Sequence, residues 1–278
     1  MKTNHSAWRV YAILAALLLW ATPSFAQFQP RPMLDEEGDV PTGERYHIEA
    51  QAGFWSPGAE MQISSESLGI IGNVIDFKDD LGLTDQRFTE LHVTLRPARR
   101  HKFRFQYIPM NFTQSAVLTR RIVFNGQAYE VGVEVDSVLD WKVYRFGYEF
   151  DFLVLPRGFG GFVIDFKHTD VRAELNTAFL REFAHVAAPI PALGGIFRVY
   201  PVPNVSITGE ITGFKLPESL IEDTTGSYVD IDFYGTVNFT NSFGAQIGYR
   251  SFDLGYTTEG DFGDFRLKGF YFGGVARY

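Results

Sequence analysis

The sequence predicts an all-β chain, a closed antiparallel transmembrane β-barrel of about ten strands with long external loops. Three observations carry that expectation. Hydropathy alternates with a period of two from Glu44 to the C-terminus, the apolar faces carry aromatics towards their ends, and tight turns alternate with long polar excursions. Successive side chains on a strand point to opposite faces, so such alternation gives each segment one apolar and one polar face. Composition agrees. With 27 Phe, 27 Gly and 13 Tyr among 278 residues, the chain still has a mean hydropathy of only -0.07 and 21% charged residues. That is too polar for a helical membrane protein and too apolar for a disordered chain. The absence of cysteine excludes a disulfide scaffold and a thiol nucleophile, and a net charge of -8 argues against a nucleic-acid partner.

Residues 1–26 read as a secretory signal peptide. Lys2 and Arg9 supply the positive start and Val10 to Trp20 the apolar run; Ser24-Phe25-Ala26 offers small residues at a cleavage site before Gln27. Residues 27–43 combine prolines with an acidic cluster and no periodicity, and are expected to form a flexible periplasmic leader. The barrel is assigned to 44–278.

The strands follow in order. Tyr46, Ile48, Ala50, Ala52 and Phe54 alternate with Arg45, His47, Glu49 and Gln51. Thr89 to Arg96, Lys102 to Tyr107 and Tyr144 to Phe152 repeat the pattern, as do segments near 160–170, 192–200, 204–214, 228–239, 243–252 and 264–278. Most are ten residues or more, the length of a tilted membrane strand, whereas sandwich strands average five or six. Pro97-Ala98-Arg99, Leu155 to Gly158, Pro201 to Asn204 and Thr240-Asn241-Ser242 are the tight turns. The excursions between them are expected at about 56–84, 113–138, 175–190, 215–227 and 256–263. An even strand count puts both termini on one side.

The signal peptide, the repeated aromatic alternation and the final strand FRLKGFYFGGVARY, Phe265 to Tyr278, resemble those of small bacterial outer-membrane β-barrel proteins. Phe270, Phe272, Gly274 and Ala276 share a face in that strand, and its aromatic end resembles the signal read by the barrel-assembly machinery. The resemblance implies an outer-membrane location, with outer-membrane lipid and lipopolysaccharide as surroundings. For activity it spans inert anchors, small channels, transporters of hydrophobic molecules and lipid-modifying enzymes.

Within the second excursion, Asn125-Gly126 predicts a type I′ hairpin, because both central residues need positive φ. Paired residue numbers then sum to 251, setting Lys102 opposite Glu149, Gln106 opposite Arg145 and Phe105 opposite Phe146, in a ribbon continuing beyond the membrane. Pro109, which lacks a donor, is expected to force a bulge.

The polar faces converge on one interior. Lys102, Arg104, Arg145, Glu149, Asp151, Asp165 and Lys167 are expected to form a lumen charge network. Arg45, His47, Glu49, Glu90, His92, Arg96, Glu210, Asp230, Asp232, Arg250, Arg266 and Lys268 are also expected to point inward. Pairing is expected because an unpaired charge in a narrow lumen is costly. The best catalytic lead is a Glu49–His92 pair on adjoining strands, since a carboxylate that orients an imidazole is half of a nucleophilic triad. It lacks a serine: Ser56, Ser64, Ser65 and Ser67 lie in the following excursion, and there is no His-x-Ser of the lipid A deacylase type. His168-Thr169-Asp170 is a partial hydrolytic match, and the acidic and Asp-His motifs of the ten-stranded omptin-like proteases are not matched. Asp76, Asp79 and Asp80 are the lead for a calcium ion, but their spacing is not that of an EF-hand, and a solvated acidic loop without a metal is the preferred reading. Phe179 to Ala184 reads either as a short amphipathic helix over a barrel mouth or as loop filler. No cofactor is expected. The leading function is that of a structural or interaction barrel with a plugged polar lumen. A small channel or transporter comes next, then a lipid- or peptide-directed hydrolase.

Overall fold

A computed structural model describes residues 40–64, 72–178, 180–217, 219, 223–258 and 260–278. The signal segment, most of the leader, Ser65, Ser67 and Phe179 lie outside the described residues. Thirteen strands follow one another: β1 (Ile48–Ser64), β2 (Ile75–Asp76), β3 (Phe88–Ala98), β4 (His101–Val117), β5 (Ile122–Phe124), β6 (Gln127–Tyr129), β7 (Glu134–Leu155), β8 (Gly158–Asn176), β9 (Arg181–Val202), β10 (Val205–Leu216), β11 (Thr225–Asn238), β12 (Phe243–Thr257) and β13 (Phe262–Arg277). Ten of them, all but the short β2, β5 and β6, pair in chain order. β13 then returns to β1 from Glu49↔Arg277 to Ser64↔Phe262. The sheet is a closed ten-stranded antiparallel barrel, and closure leaves no edge along the crossing segments.

Its side chains are distributed inside out relative to a water-soluble protein. Phe103, Phe146, Phe166, Phe197, Phe233 and Phe270 face outward and are exposed, while Lys102, Glu149, Asp165 and Lys167 are buried. A continuous exposed apolar belt of this kind marks a surface that meets lipid. On β7 it runs from Tyr144 to Phe152 (nine residues), as a tilted crossing needs. Aromatics border it: Tyr107 stacks on Tyr144 at 4.8 Å near the loop end, and His101 lies 5.1 Å from Phe150 near the turn end.

The β4–β7 ladder has the register expected from the hairpin, with Lys102↔Glu149, Phe105↔Phe146 and Gln106↔Arg145. Asn125 and Gly126 have φ of 49° and 78°, as a type I′ turn requires. Two details differ. Pro109 pairs with Lys142 without a bulge; its missing donor costs nothing because β3 pairs with β4 only as far as Tyr107 and leaves that edge unzipped. The ribbon is also interrupted. β5 and β6 form a separate hairpin that folds in over the barrel mouth, burying Ile122, Phe124 and Tyr129. Bonds from Val123 N to Asn73 Oδ1 (2.8 Å) and from Tyr129 Oη to the Leu175 carbonyl (3.2 Å) hold it there.

Other expectations are corrected. Arg181 to Ala184 is strand, not helix, because β8 and β9 pair up to Asn176↔Arg181 and form a tall flap with β7. The excursion expected at 175–190 thus shrinks to 177–180, and β1 runs on to Ser64. Arg45 and His47 precede β1 and are exposed, whereas Tyr46 is buried. Arg266 and Lys268 point outward beside Asp253 and Asp264. They share the parity of Phe270 and Phe272, but lie above the belt, where the outside is water.

Inside, the barrel has two layers. The loop-end half is apolar: Trp141, Phe112, Phe124, Phe252 and Phe265 pack with Phe77 and Leu81 from the first excursion. The turn-end half is ionic, and the candidate site lies there.

Candidate functional site

Six strands, β4, β7, β8, β10, β11 and β12, supply the centre of the ionic layer through their inward faces. On β4, Lys102 Nζ lies 2.6 Å from Glu149 and 2.9 Å from Asp151, both on β7. Their opposition follows from the register, and the Lys102 ammonium also sits 3.5 Å from the ring centre of Phe159. Arg104 reaches across the lumen to Glu210 on β10 (2.7 Å) and to Glu149 (3.4 Å). Arg145 pairs with Asp165 (2.7 Å) and with the same Glu210. Lys167, 1% exposed as a side chain, donates to Thr212, Tyr228 and Asp230 at 2.9, 2.5 and 3.1 Å. Asp230 also accepts two bonds from Arg250, at 2.9 and 2.6 Å, in a bidentate pair. All seven residues assigned to the charge network from sequence therefore lie in the lumen and are joined by ion pairs.

Sequence reasoning missed several members. Arg198 on β9 donates to Thr208 (2.9 Å), and Arg277 on β13 pairs with Glu49 at 2.5 Å. Both were visible as cations alternating with outward residues: Arg198 between Phe197 and Val199, Arg277 after Ala276. Tyr228 and Tyr271 look like apolar alternation in the sequence, yet they turn their hydroxyls onto Asp230 and Asp232 at 2.9 and 2.8 Å.

The Glu49–His92 pair does not form. The β1–β3 register sets Gln51, not Glu49, opposite His92, and Arg277 holds Glu49 instead. His92 lies 3.4 Å from Glu90 and 2.7 Å from the Gln106 amide. His168 and Asp170 face outward, and Asp170 meets His185 of β9 at 3.3 Å. The first-loop carboxylates serve the loop itself. Asp76 accepts from the Lys78 and Asp79 amides, both at 2.9 Å, and so caps a turn; Asp80 pairs with Arg120 at 2.5 Å. Burial pushes the Asp80 carboxyl up, but the Arg120 hydrogen bonds outweigh it and hold the group below its ordinary value. Among the described residues, no three His, Asp or Glu side chains converge to hold a metal ion.

The turn end is closed by the chain itself. Thr42 N donates to the Pro203 carbonyl (2.8 Å) and Asn238 Nδ2 to the Thr42 carbonyl (2.7 Å), stretching residues 41–47 across the lumen floor. Glu44 on this strap meets Arg96 at 3.1 Å and Arg198 at 3.5 Å and accepts from Tyr200 at 2.5 Å. Burial raises the Glu44 carboxyl, yet Arg198 and Arg96 prevail and keep it below its ordinary value. Interior space within the network comes as a cavity of about 30 Å³ among His92, Arg104, Gln106 and Asp232, and a second of about 10 Å³ beside Glu90 and Tyr271. These hold about one or two waters each.

No protein-family model and no curated protein matches the chain. Solved structures do. The chain is similar to the outer membrane protease OmpT from Escherichia coli, with a TM-score of 0.59 at 6% identity over 83% of this chain and 96% of that one. The fold is that of the outer-membrane β-barrels. The attachment invasion locus protein Ail of Yersinia pestis matches at a TM-score of 0.34 and 9% identity, over 82% of this chain and 99% of that one. The Pseudomonas putida toluene transporter TodX matches at 0.37 and 6%, over 86% and 93%. At these identities the likeness is one of fold.

Proposed function

We propose that this chain is an outer-membrane β-barrel of structural or interaction type, with a lumen closed to solutes. Its signal peptide directs export and its C-terminal strand is read by the barrel-assembly machinery. The tight turns face the periplasm, and the belt contacts outer-membrane lipid and lipopolysaccharide. The filled interior carries this reading. The strap, the ion-paired layer and the apolar layer succeed one another along the axis, and the two cavities within the network hold about one or two waters each. A solute would have to break several buried ion pairs to pass, and breaking one such pair costs about 3–5 kcal/mol.

Planar-bilayer recording tests the proposal. Barrels whose insertion is verified by heat-modifiable gel mobility should show no discrete conductance in repeated trials. Reproducible unitary steps would replace this reading with a channel. Altered lipid A or peptide products in a deletion strain, restored by the wild-type gene, would replace it with a hydrolase.

A further inference from the structure

Residues 41–46 meet the barrel as a bound peptide would, and not as a strand. They belong to no ladder, and the first rung between β1 and β3 is Ile48↔Leu95. The sequence accounts for it. Pro41 lacks a donor, and Gly43, at φ of 81°, lets the chain turn so that Glu44 N donates to the Pro41 carbonyl at 3.1 Å. The remaining main-chain groups are satisfied by turns and side chains of the barrel. Thr42 N reaches the Pro203 carbonyl and Gly43 N the Asn241 side chain, at 2.8 and 3.1 Å. Asn238 Nδ2 donates to the Thr42 carbonyl and Arg96 Nη1 to that of Glu44, both at 2.7 Å.

Three positions of the strap are read by their side chains. Position 43 must be glycine, since a Cβ there would stand 2.7 Å from Arg277 Nη1 and 2.9 Å from Asn238 Cγ. The Glu44 carboxylate meets Arg96, Arg198 and the Tyr200 hydroxyl, at 3.1, 3.5 and 2.5 Å. Tyr46 is buried between two guanidinium groups, with Arg96 and Arg277 at 5.4 and 5.9 Å from its ring centre. The strap does not exhaust the site. Arg96 is only 7% exposed, yet its Nε has no hydrogen-bond partner among the described residues. Behind the strap, Tyr46 and Arg198 border the cavity of about 30 Å³.

We propose that the lumen floor is a peptide-binding site, filled in cis by residues 41–46, that takes an acidic turn of a partner chain in exchange. The motif it selects is glycine followed by glutamate, with an aromatic residue two positions further on. Release of the strap breaks no ladder rung and opens the cavity behind Tyr46 at the turn end. That the partner is periplasmic rests on the orientation proposed above; the binding itself does not.

The probe is a fluorescent peptide of residues 40–46, VPTGERY, with both ends capped. The receptor is the full mature chain carrying Glu44→Ala and Tyr46→Ala, so that its own strap has lost both anchors. It is refolded in detergent micelles, which leave both ends of the barrel accessible, and checked by heat-modifiable mobility. Where this double variant fails to fold, Glu44→Ala alone takes its place. Fluorescence anisotropy should show saturable binding, weakened about tenfold or more when the peptide carries Glu44→Gln or Gly43→Ala. The wild-type chain should also bind about tenfold more weakly or worse, because its tethered strap competes at an effective concentration of order mM. Absence of saturable binding overturns the proposal and leaves the closed lumen, which conductance tests separately, standing. Unchanged binding with either peptide substitution, or equal binding by the wild-type chain, overturns it too. Displacement of the peptide by an equal concentration of acetate shows a site for any small carboxylate and likewise overturns it.

Discussion

Removing the Asp230 carboxylate measures whether the lumen is packed or wet. Asp230 accepts from Arg250 at 2.9 and 2.6 Å, from Lys167 at 3.1 Å and from Tyr228 at 2.9 Å. Arg250 and Lys167 are both almost wholly buried. In Asp230→Ala these cations lose their main counter-charge in a medium that hydrates them poorly, a change worth about 3–5 kcal/mol. Were the lumen a water-filled channel, the same pairs would behave as surface pairs worth about 0–1 kcal/mol. The ranges do not overlap, so one measurement decides. The assay is reversible urea unfolding of the barrel in lipid vesicles, followed by the fluorescence of Trp55 and Trp141. With a slope of about 2 kcal/mol/M, the midpoint should fall by about 2 M. Asp230→Leu combined with Arg250→Met and Lys167→Met should recover much of the loss, because a buried ionic cluster replaced by apolar groups of similar size is often neutral. A shift under about 1 kcal/mol for Asp230→Ala would refute the packed lumen.

Four further outcomes are expected. Ile211→Lys puts a charge into the lipid-facing belt, where Ile211 is 53% exposed; it should cost about 2–4 kcal/mol in the same unfolding assay. Gly126→Ala forces a side chain onto a residue with φ of 78°; it should destabilise the hairpin by about 1 kcal/mol, read as faster protease nicking between β5 and β6 with the barrel midpoint unchanged. Arg120→Gln frees Asp80 and should speed proteolysis of the 72–87 loop. Because the Asp80 pKa is lowered, the pair's contribution is full above the ordinary carboxylate range of about 4 and disappears only as pH falls through the lowered value. Glu44→Gln should release the floor strap, read as faster hydrogen exchange at the Thr42 and Gly43 amides. The wild-type strap should hold down to acid pH by the same sign, since the Glu44 pKa is also lowered.

What was legible in the sequence depended on how closely a local signal was tied to a long-range contact. The β4–β7 register could be read because one type I′ turn fixes every rung from Phe124↔Gln127 down to His101↔Phe150. No such anchor joins β1 to β3. A long excursion separates them, so the offset that puts Gln51 opposite His92 was invisible and a Glu49–His92 pair looked natural. The helix suggested for Phe179 to Ala184 had a similar cause. Charged and apolar residues mix there with no clean period, and the strand comes from rungs such as Glu174↔Phe183 that the sequence alone does not display. The lumen network was legible as a list of inward charges. Its partners were less so, since Arg104 reaches Glu210 across the barrel and not along a rung.

An ionic interior in a closed barrel still requires a reason, because well-packed apolar groups are often as stabilising as buried ion pairs. Register offers one. A strand apolar on both faces loses little when it slips by one residue, whereas alternation makes that slip turn every lumen charge towards lipid. Depth is specified in the same way. On β13, Leu267 and Phe265 face inward while Arg266 and Lys268 face outward; further along the strand Phe270 and Phe272 face outward and Arg277 inward. On β7 the outward face changes from Lys142 to Tyr144, and on β8 from Asp170 to His168 and Phe166. Polarity thus inverts at one level on neighbouring strands, so a shift of two residues along the axis would carry a lysine or aspartate into lipid. The ionic layer and the inversion above it together set which face meets lipid and how deep the barrel sits. A simple apolar core would fix neither.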